Sequence, residues 1–198
     1  MNTMIKGMFL GAALGAISIV AAAQNAAPTA PGVDQRQQNQ QQRIGQGVEN
    51  GSLTAGEAAR LERKETKLGA EEQRMKSDGK LTAAERARLQ RQENGLSKQI
   101  YNQKHDAQTQ NVNPRSEVGK RQRAQQERIG QGISNGSLTP REASRLERQE
   151  GRIHREVAHE RAANGGTLTP AERAQVNRQQ NRESKRIYRQ KHDAQVRH

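Results

Sequence analysis

Asn135-Gly136-Ser137-Leu138-Thr139-Pro140-Arg141-Glu142-Ala143-Ser144-Arg145-Leu146-Glu147-Arg148 is the stretch from which the architecture can be read. A near copy begins at Asn50-Gly51-Ser52-Leu53-Thr54, and shorter copies begin at Gly79-Lys80-Leu81-Thr82 and Gly166-Thr167-Leu168-Thr169. In each copy a Thr is followed three residues later by a Glu: Thr54 and Glu57, Thr82 and Glu85, Thr139 and Glu142, Thr169 and Glu172. That spacing is a capping box, in which hydroxyl and carboxylate satisfy backbone N–H groups that a helix start leaves unpaired. Pro140 and Pro170 fall at the first helical position, where a missing N–H costs nothing. Four matching contexts predict four helix starts, each preceded by a turn.

The first 23 residues read as a secretory signal. Lys6 gives a positive start, residues 7–20 form a short apolar stretch, and Ala21-Ala22-Ala23 offers small residues for cleavage. No Cys follows, so a lipid anchor is not expected, and no transmembrane span is expected after cleavage. Residues 24–42, rich in Gln, Ala, Asn and Pro, read as a disordered leader. Beyond Phe9 the chain holds no further Phe; it has no Trp or Cys, and its aromatics reduce to Tyr101 and Tyr188. Disulfide staples and thiol chemistry are therefore excluded, and a large apolar core is not expected. The formal charge of +13 points to anionic partners.

From Arg43 the chain predicts two modules, residues 43–108 and 124–198, joined by a linker at 109–123. In the first, Leu61, Leu68 and Met75 line one helix, and Leu89, Leu96 and Ile100 line the next. In the second, Leu146, Ile153 and Val157 take the same role. Both modules open with Arg-Ile-Gly-Gln-Gly and close with Ile-Tyr-x-Gln-Lys-His-Asp-Ala-Gln. The offset grows from 85 residues at Ile44/Ile129 to 87 at Tyr101/Tyr188, placing an insertion between Ile153 and Leu168. The fold expected is all-α: two tandem helical hairpins with narrow seams, interrupted by Glu65, Glu93, Glu150 and Gln180. Such hairpins should associate, as a coiled-coil-like or four-helix arrangement or as a homodimer.

Two groups of residues suggest anion binding. Arg178, Arg182, Lys185 and Arg189 recur at spacings of four, three and four, a basic stripe along the last helix; Lys120, Arg121 and Arg123 cluster in the linker. Either could grip phosphates of DNA, lipopolysaccharide or another envelope polyanion, and the plainer reading is a solvated helix face. Elsewhere Glu and Arg alternate as in i,i+4 surface pairing. Sequence-specific nucleic-acid binding is not expected, and neither is single-strand recognition, for which aromatics for base stacking are too few. His105 and His192 each sit between Lys and Asp, a poor setting for a cation, so no metal site and no cofactor are expected. The Ile-Tyr pair before each Lys-His-Asp reads as a packing anchor. No nucleophile, paired-carboxylate or phosphate-loop pattern points to catalysis, so no catalytic residue is assigned.

Three resemblances follow from these motifs. The repeated Asn-Gly-x-Leu-Thr-x-x-Glu-Ala-x-Arg-Leu-Glu-Arg with Ile-Tyr-x-Gln-Lys-His-Asp-Ala-Gln resembles a group of exported bacterial tandem-module proteins, which implies export without implying an activity. The signal, basic charge, helical pattern and Leu-Thr at helix starts are similar to the Spy/CpxP periplasmic stress proteins. That similarity implies a chaperone or stress-response role, although those proteins carry Gln where this chain has Glu57, Glu85, Glu142 and Glu172. The turns also resemble the second half of an EF-hand loop, which implies weak or vestigial calcium binding; the early ligand places hold residues such as Val48, Arg74, Lys76 and Ile133. The function expected is that of an exported, non-enzymatic, basic helical protein binding an anionic envelope component or a partner protein.

Overall fold

The computed structural model describes residues 31–110 and 112–195. The expected signal at 1–23 and the first part of the expected leader lie outside the described residues. Within them the chain is all-α, and no strand is present. Six helices follow in order: α1 Pro31–Asn50, α2 Ala55–Met75, α3 Ala83–Lys104, α4 Glu117–Asn135, α5 Pro140–Ala163 and α6 Pro170–Lys191. A single 3-10 turn, Lys76–Asp78, continues α2. Among the described residues no helix is long and apolar enough to cross a membrane.

At α2, α3, α5 and α6 the Thr side chain accepts from the backbone N–H of the Glu three residues on, while that Glu accepts from the Thr backbone. The Glu57 and Glu142 carboxylates also accept from their own Thr hydroxyls, at 2.8 and 2.7 Å. Gly51 and Gly136, at φ 75° and 79°, end α1 and α4 in the left-handed conformation that turns the chain toward each cap.

Two boundaries differ from the sequence reading. Residues 31–42 are helical rather than part of a leader, and α4 begins at Glu117, inside the stretch read as linker. Both helices hold their place with amides instead of an apolar stripe. On α1, Val33, Gln40, Gln41, Ile44 and Val48 are buried, a helical face in which Gln stands where an aliphatic would be sought. Gln40 donates to the Glu93 carbonyl at 2.9 Å and Gln41 to the Glu62 carboxylate at 3.1 Å. On α4, Gln125 donates to the Gln180 carbonyl at 2.8 Å and Gln126 to the Glu147 carboxylate at 3.2 Å. Each module is therefore a three-helix unit, α1–α3 and α4–α6.

The most extensive interfaces run between the modules, α1 against α4 and α2 against α5. Corresponding residues meet: Gly45 lies against Gly130, and the Ser144 hydroxyl donates to the carbonyl of its counterpart, Ala59, at 3.0 Å. Gly45 faces Ser134 while Gly130 faces Glu49, so the two helices cross in opposite senses. This is the self-complementary pattern of a two-fold dimer, built within one chain. It replaces the expected pair of narrow seams with a shared core that holds Ile44, Leu53, Leu61 and Ile100 together with Ile129, Leu138, Leu146 and Ile187. A smaller cluster of Val118, Ile153, Val157, Leu168 and Val176 closes the outer end of the second module.

A Cβ added at Gly45 would lie 2.7 Å from the Gly130 carbonyl oxygen, and one at Gly130 would lie 2.7 Å from that of Gly45. Neither oxygen can yield without moving a helix. Gly69, in α2, has open space around it. Gly45→Ala with Gly130→Ala should therefore cost about 1–3 kcal/mol through overpacking, whereas Gly69→Ala should gain about 0.5–1 kcal/mol from helix propensity. Thermal unfolding followed by circular dichroism checks this. Melting shifts of the same sign in both variants would mean that the crossing is not held by backbone contact.

Candidate functional site

The Arg-Leu-Glu-Arg repeat at the start of α5 sorts its charges by helical phase. Leu146, Glu147, Glu150 and Ile153 face inward and are buried, while Arg145, Arg148 and Arg152 are exposed. The alternating signs in the sequence are thus not pairs on one surface. Glu points in and Arg points out. The first module does the same: Glu62 and Glu65 are buried beneath exposed Arg60, Arg63, Lys64 and Lys67.

Burial raises the pKa of Glu147 and Glu150. Glu147 is pushed up to about 8 by loss of hydration, against a hydrogen bond from Gln126 that favours the charged form. Glu150 is pushed well above the usual range by burial and then by Glu147 and Glu183. Glu183 is raised by burial in spite of its 2.9 Å ion pair with Arg186. In the first module, burial lifts Glu93 to about 7 against the pull of Arg36. The surface left to solvent is consequently more cationic at neutral pH than the formal charge of +13 conveys.

The result is a groove between α5 and α6 lined by Arg145, Leu146, Arg148, Arg152, Arg186, Arg189 and Gln190. Five guanidinium groups face it and no carboxylate lines it. Among the described residues only Arg186 of the five is in an ion pair. Arg148 is braced by a 3.0 Å bond to the Ser144 hydroxyl and Arg152 by a bond to Gln149. The matching groove of the first module is lined by Arg60, Leu61, Lys64, Gln99, Asn102 and Gln103, so its α3 wall is neutral.

On the other side of α6, against α4, a second groove is lined by Arg128, Ser184, Lys185, Tyr188 and Arg189. Arg189 thus borders both grooves. Of the basic stripe read from the sequence, Lys185 and Arg189 take part in these grooves. Arg178 and Arg182 are exposed but line neither. From the linker cluster, Lys120 and Arg123 are exposed on α4. Arg121 pairs with Glu117 at 3.0 Å and donates to Asn181 on α6 at 2.9 Å, so the two clusters occupy neighbouring helices. The α5 arginines escaped sequence reasoning because their spacing of three and four was masked by the intervening Glu. Treating Glu147 and Glu150 as inward residues would have disclosed it.

The Ile-Tyr pair divides its labour. Ile100 and Ile187 are fully buried, whereas Tyr101 and Tyr188 are 57% and 62% exposed, so only the Ile anchors the hairpin. Each Tyr stacks on the His four residues later at a centroid distance of 4.2 Å, and that His ring nitrogen lies 2.7 Å from the Tyr carbonyl. His105 and His192 thus brace the aromatic rings. Among the described residues no group of three His, Cys, Asp or Glu side chains is arranged to hold a metal ion.

No protein-family model, curated protein or solved structure matches this chain.

The buried carboxyls set a pH dependence. Their folded-state values lie above the ordinary 4.5, so between that value and about 7 to 8 the folded chain holds protons that the unfolded chain has released. Stability is then fully present below about 4.5 and falls as pH rises through the folded values. At about 1.4 kcal/mol per unit, Glu147 alone accounts for a few kcal/mol. Urea midpoints should drop steadily from about pH 5 to about pH 9, and Glu147→Gln should flatten the curve. A midpoint that climbs over this range would show that these carboxyls are ionised in the folded protein.

Proposed function

We propose that this chain is an exported, non-enzymatic binder of an anionic polymer of the bacterial envelope, with the groove between α5 and α6 as its main grip. The single observation that carries this reading is the groove itself: Arg145, Arg148, Arg152, Arg186 and Arg189 facing one channel whose lining includes no acidic side chain. Guanidinium groups present planar forks of donors that match the oxygens of phosphate, sulfate or carboxylate. Arranged on two rigid helices, they meet such groups at a spacing fixed by the fold. Salt releases the hold by competing for the same charges.

Physical economy favours this over a client-binding chaperone. Capture of unfolded chains draws on exposed apolar area. Among the described residues, Tyr101 and Tyr188 are the large hydrophobic side chains exposed, and they lie on separate modules. What the surface offers in quantity is positive charge.

Heparin serves as a generic polyanion. Its affinity should fall by more than tenfold between about 50 and 200 mM salt. Arg145→Ala with Arg152→Ala should weaken binding and reduce the slope of log affinity against log salt by about two. Affinity that ignores both salt and the double variant, alongside suppression of client aggregation at moderate salt, would replace this reading with the chaperone.

A further inference from the structure

The repeat retains more than its frame. In the first module Arg43 on α1 reaches α3, donating to the Ser97 hydroxyl at 2.6 Å and to the Ser97 carbonyl at 3.2 Å. In the second, Arg128 on α4 reaches α6 and donates to the Ser184 hydroxyl at 2.8 Å. One residue after each Ser stands an exposed Lys, Lys98 or Lys185, and one turn after that Lys comes the exposed, His-stacked ring of Tyr101 or Tyr188. Arg, Ser, Lys, Tyr and His recur at matching places on two modules related by the internal two-fold. The neighbouring surface differs: Asn102 stands where the second module has Arg189.

The Lys and Tyr side chains of both sets are exposed. The Ile of each Ile-Tyr pair fills the interior, while the Tyr at the next position is more than half exposed and lies outside the core. The cations are also crowded. Burial and then Arg43 push Lys104 below the usual lysine range; burial and then Arg128 do the same to Lys191, where Glu49 opposes them. A bound anion would relieve that crowding at both places.

We infer that each module carries one site for a ring bearing an anionic group, formed by Arg43, Ser97, Lys98 and Tyr101 in the first and by Arg128, Ser184, Lys185 and Tyr188 in the second, and that the ligand is an acidic saccharide. The Tyr ring offers a flat apolar face to the C–H face of a sugar, and the Arg and Lys take its sulfate, phosphate or carboxylate. A single ring per site suits one sugar unit. Single-stranded nucleic acid instead calls for successive rings on which successive bases stack. The inference rests on the polyanion reading and adds two defined sites to it. The second binds more tightly, because Arg189 adds a cation that Asn102 does not.

The test uses the whole chain and a short sulfated heparin tetrasaccharide in isothermal titration. With the groove between α5 and α6 silenced by Arg145→Ala and Arg152→Ala, two molecules should bind per chain with unequal affinities. Tyr101→Ala should weaken the weaker site and Tyr188→Ala the tighter one, each by about five- to tenfold, whereas Tyr→Phe at either position should restore binding. The rings are exposed, so helicity by circular dichroism should be unchanged in every variant. One molecule per chain, Ala variants that bind like the parent, or displacement of the saccharide by an equal charge of oligothymidylate would each overturn the inference. Because the Tyr variants remove no charge, such a failure leaves salt-dependent heparin binding standing. Loss of the salt dependence and of the effect of Arg145→Ala with Arg152→Ala would instead remove the polymer reading itself.

Discussion

The approach of α1 to α4 at Gly45 and Gly130 is the constraint on which the rest of this molecule depends. Each glycine lies against the backbone of the other's helix, and any side chain there would wedge the helices apart. Close approach is what lets Ile44, Val48, Ile129 and Ile133 join the leucines of α2 and α5 in one core. Without it each module would be three helices around a thin strip of aliphatics, too little burial for a stable domain of that size. Fusion of two copies doubles the core while leaving the chain poor in large hydrophobics. The two-fold arrangement therefore answers a composition that, read residue by residue, looks unable to fold as a unit.

The same shortage explains why Glu and Gln are inside. Positions that face the interior but are not filled by aliphatics hold Gln40, Gln41, Glu62, Glu93, Gln125, Gln126, Glu147 and Gln180. The amides answer the carboxyls and the free carbonyls: Gln41 to Glu62, Gln126 to Glu147, and Gln180 to the Val118 carbonyl at 3.0 Å. A carboxyl buried as deeply as that of Glu147 is pushed up to about 8 by loss of hydration and keeps its proton at neutral pH. It thereby ceases to balance the arginines one helical position away. Core chemistry and surface chemistry are thus coupled through the phase of the Arg-Leu-Glu-Arg repeat: what stabilises the interior also leaves the exterior cationic.

This coupling marks where the sequence could be read and where it could not. Helix starts were legible because Thr, Glu and Pro act through local backbone chemistry, which tertiary packing does not override. The module repeat was legible from Ile44 and Ile129 through Tyr101 and Tyr188. The helical character of residues 31–42 and 117–123 was not, because periodicity was sought in aliphatics and these helices face inward with Gln. The proposed grip on anions was only half legible. Arg178 and Arg182 follow a clear period yet line neither groove, while Arg145, Arg148 and Arg152 stand in apparent balance with Glu residues that are in fact buried. A charged residue's face cannot be assigned until the core it turns from or toward is known.

Divergence between the two modules follows the division between frame and surface. Glycine crossing points, capping Thr and Glu, and the Gln41–Glu62 and Gln126–Glu147 pairs are kept in both. Among the changes on the last helix of each module, Leu96, Gln99 and Asn102 of α3 become Glu183, Arg186 and Arg189 of α6. The first two of these replacements go together. Glu183 enters the interior and accepts an ion pair from Arg186, so one new cation is anchored by an acid that burial largely hides from solvent. Arg189, one turn further, meets no such partner and faces both grooves. A chain that holds its frame by symmetry is free to make one copy of a surface stronger than the other. The two unequal sites proposed above would suit a polymer that offers many anionic groups along its length, since the second contact would form at the effective concentration set by the first.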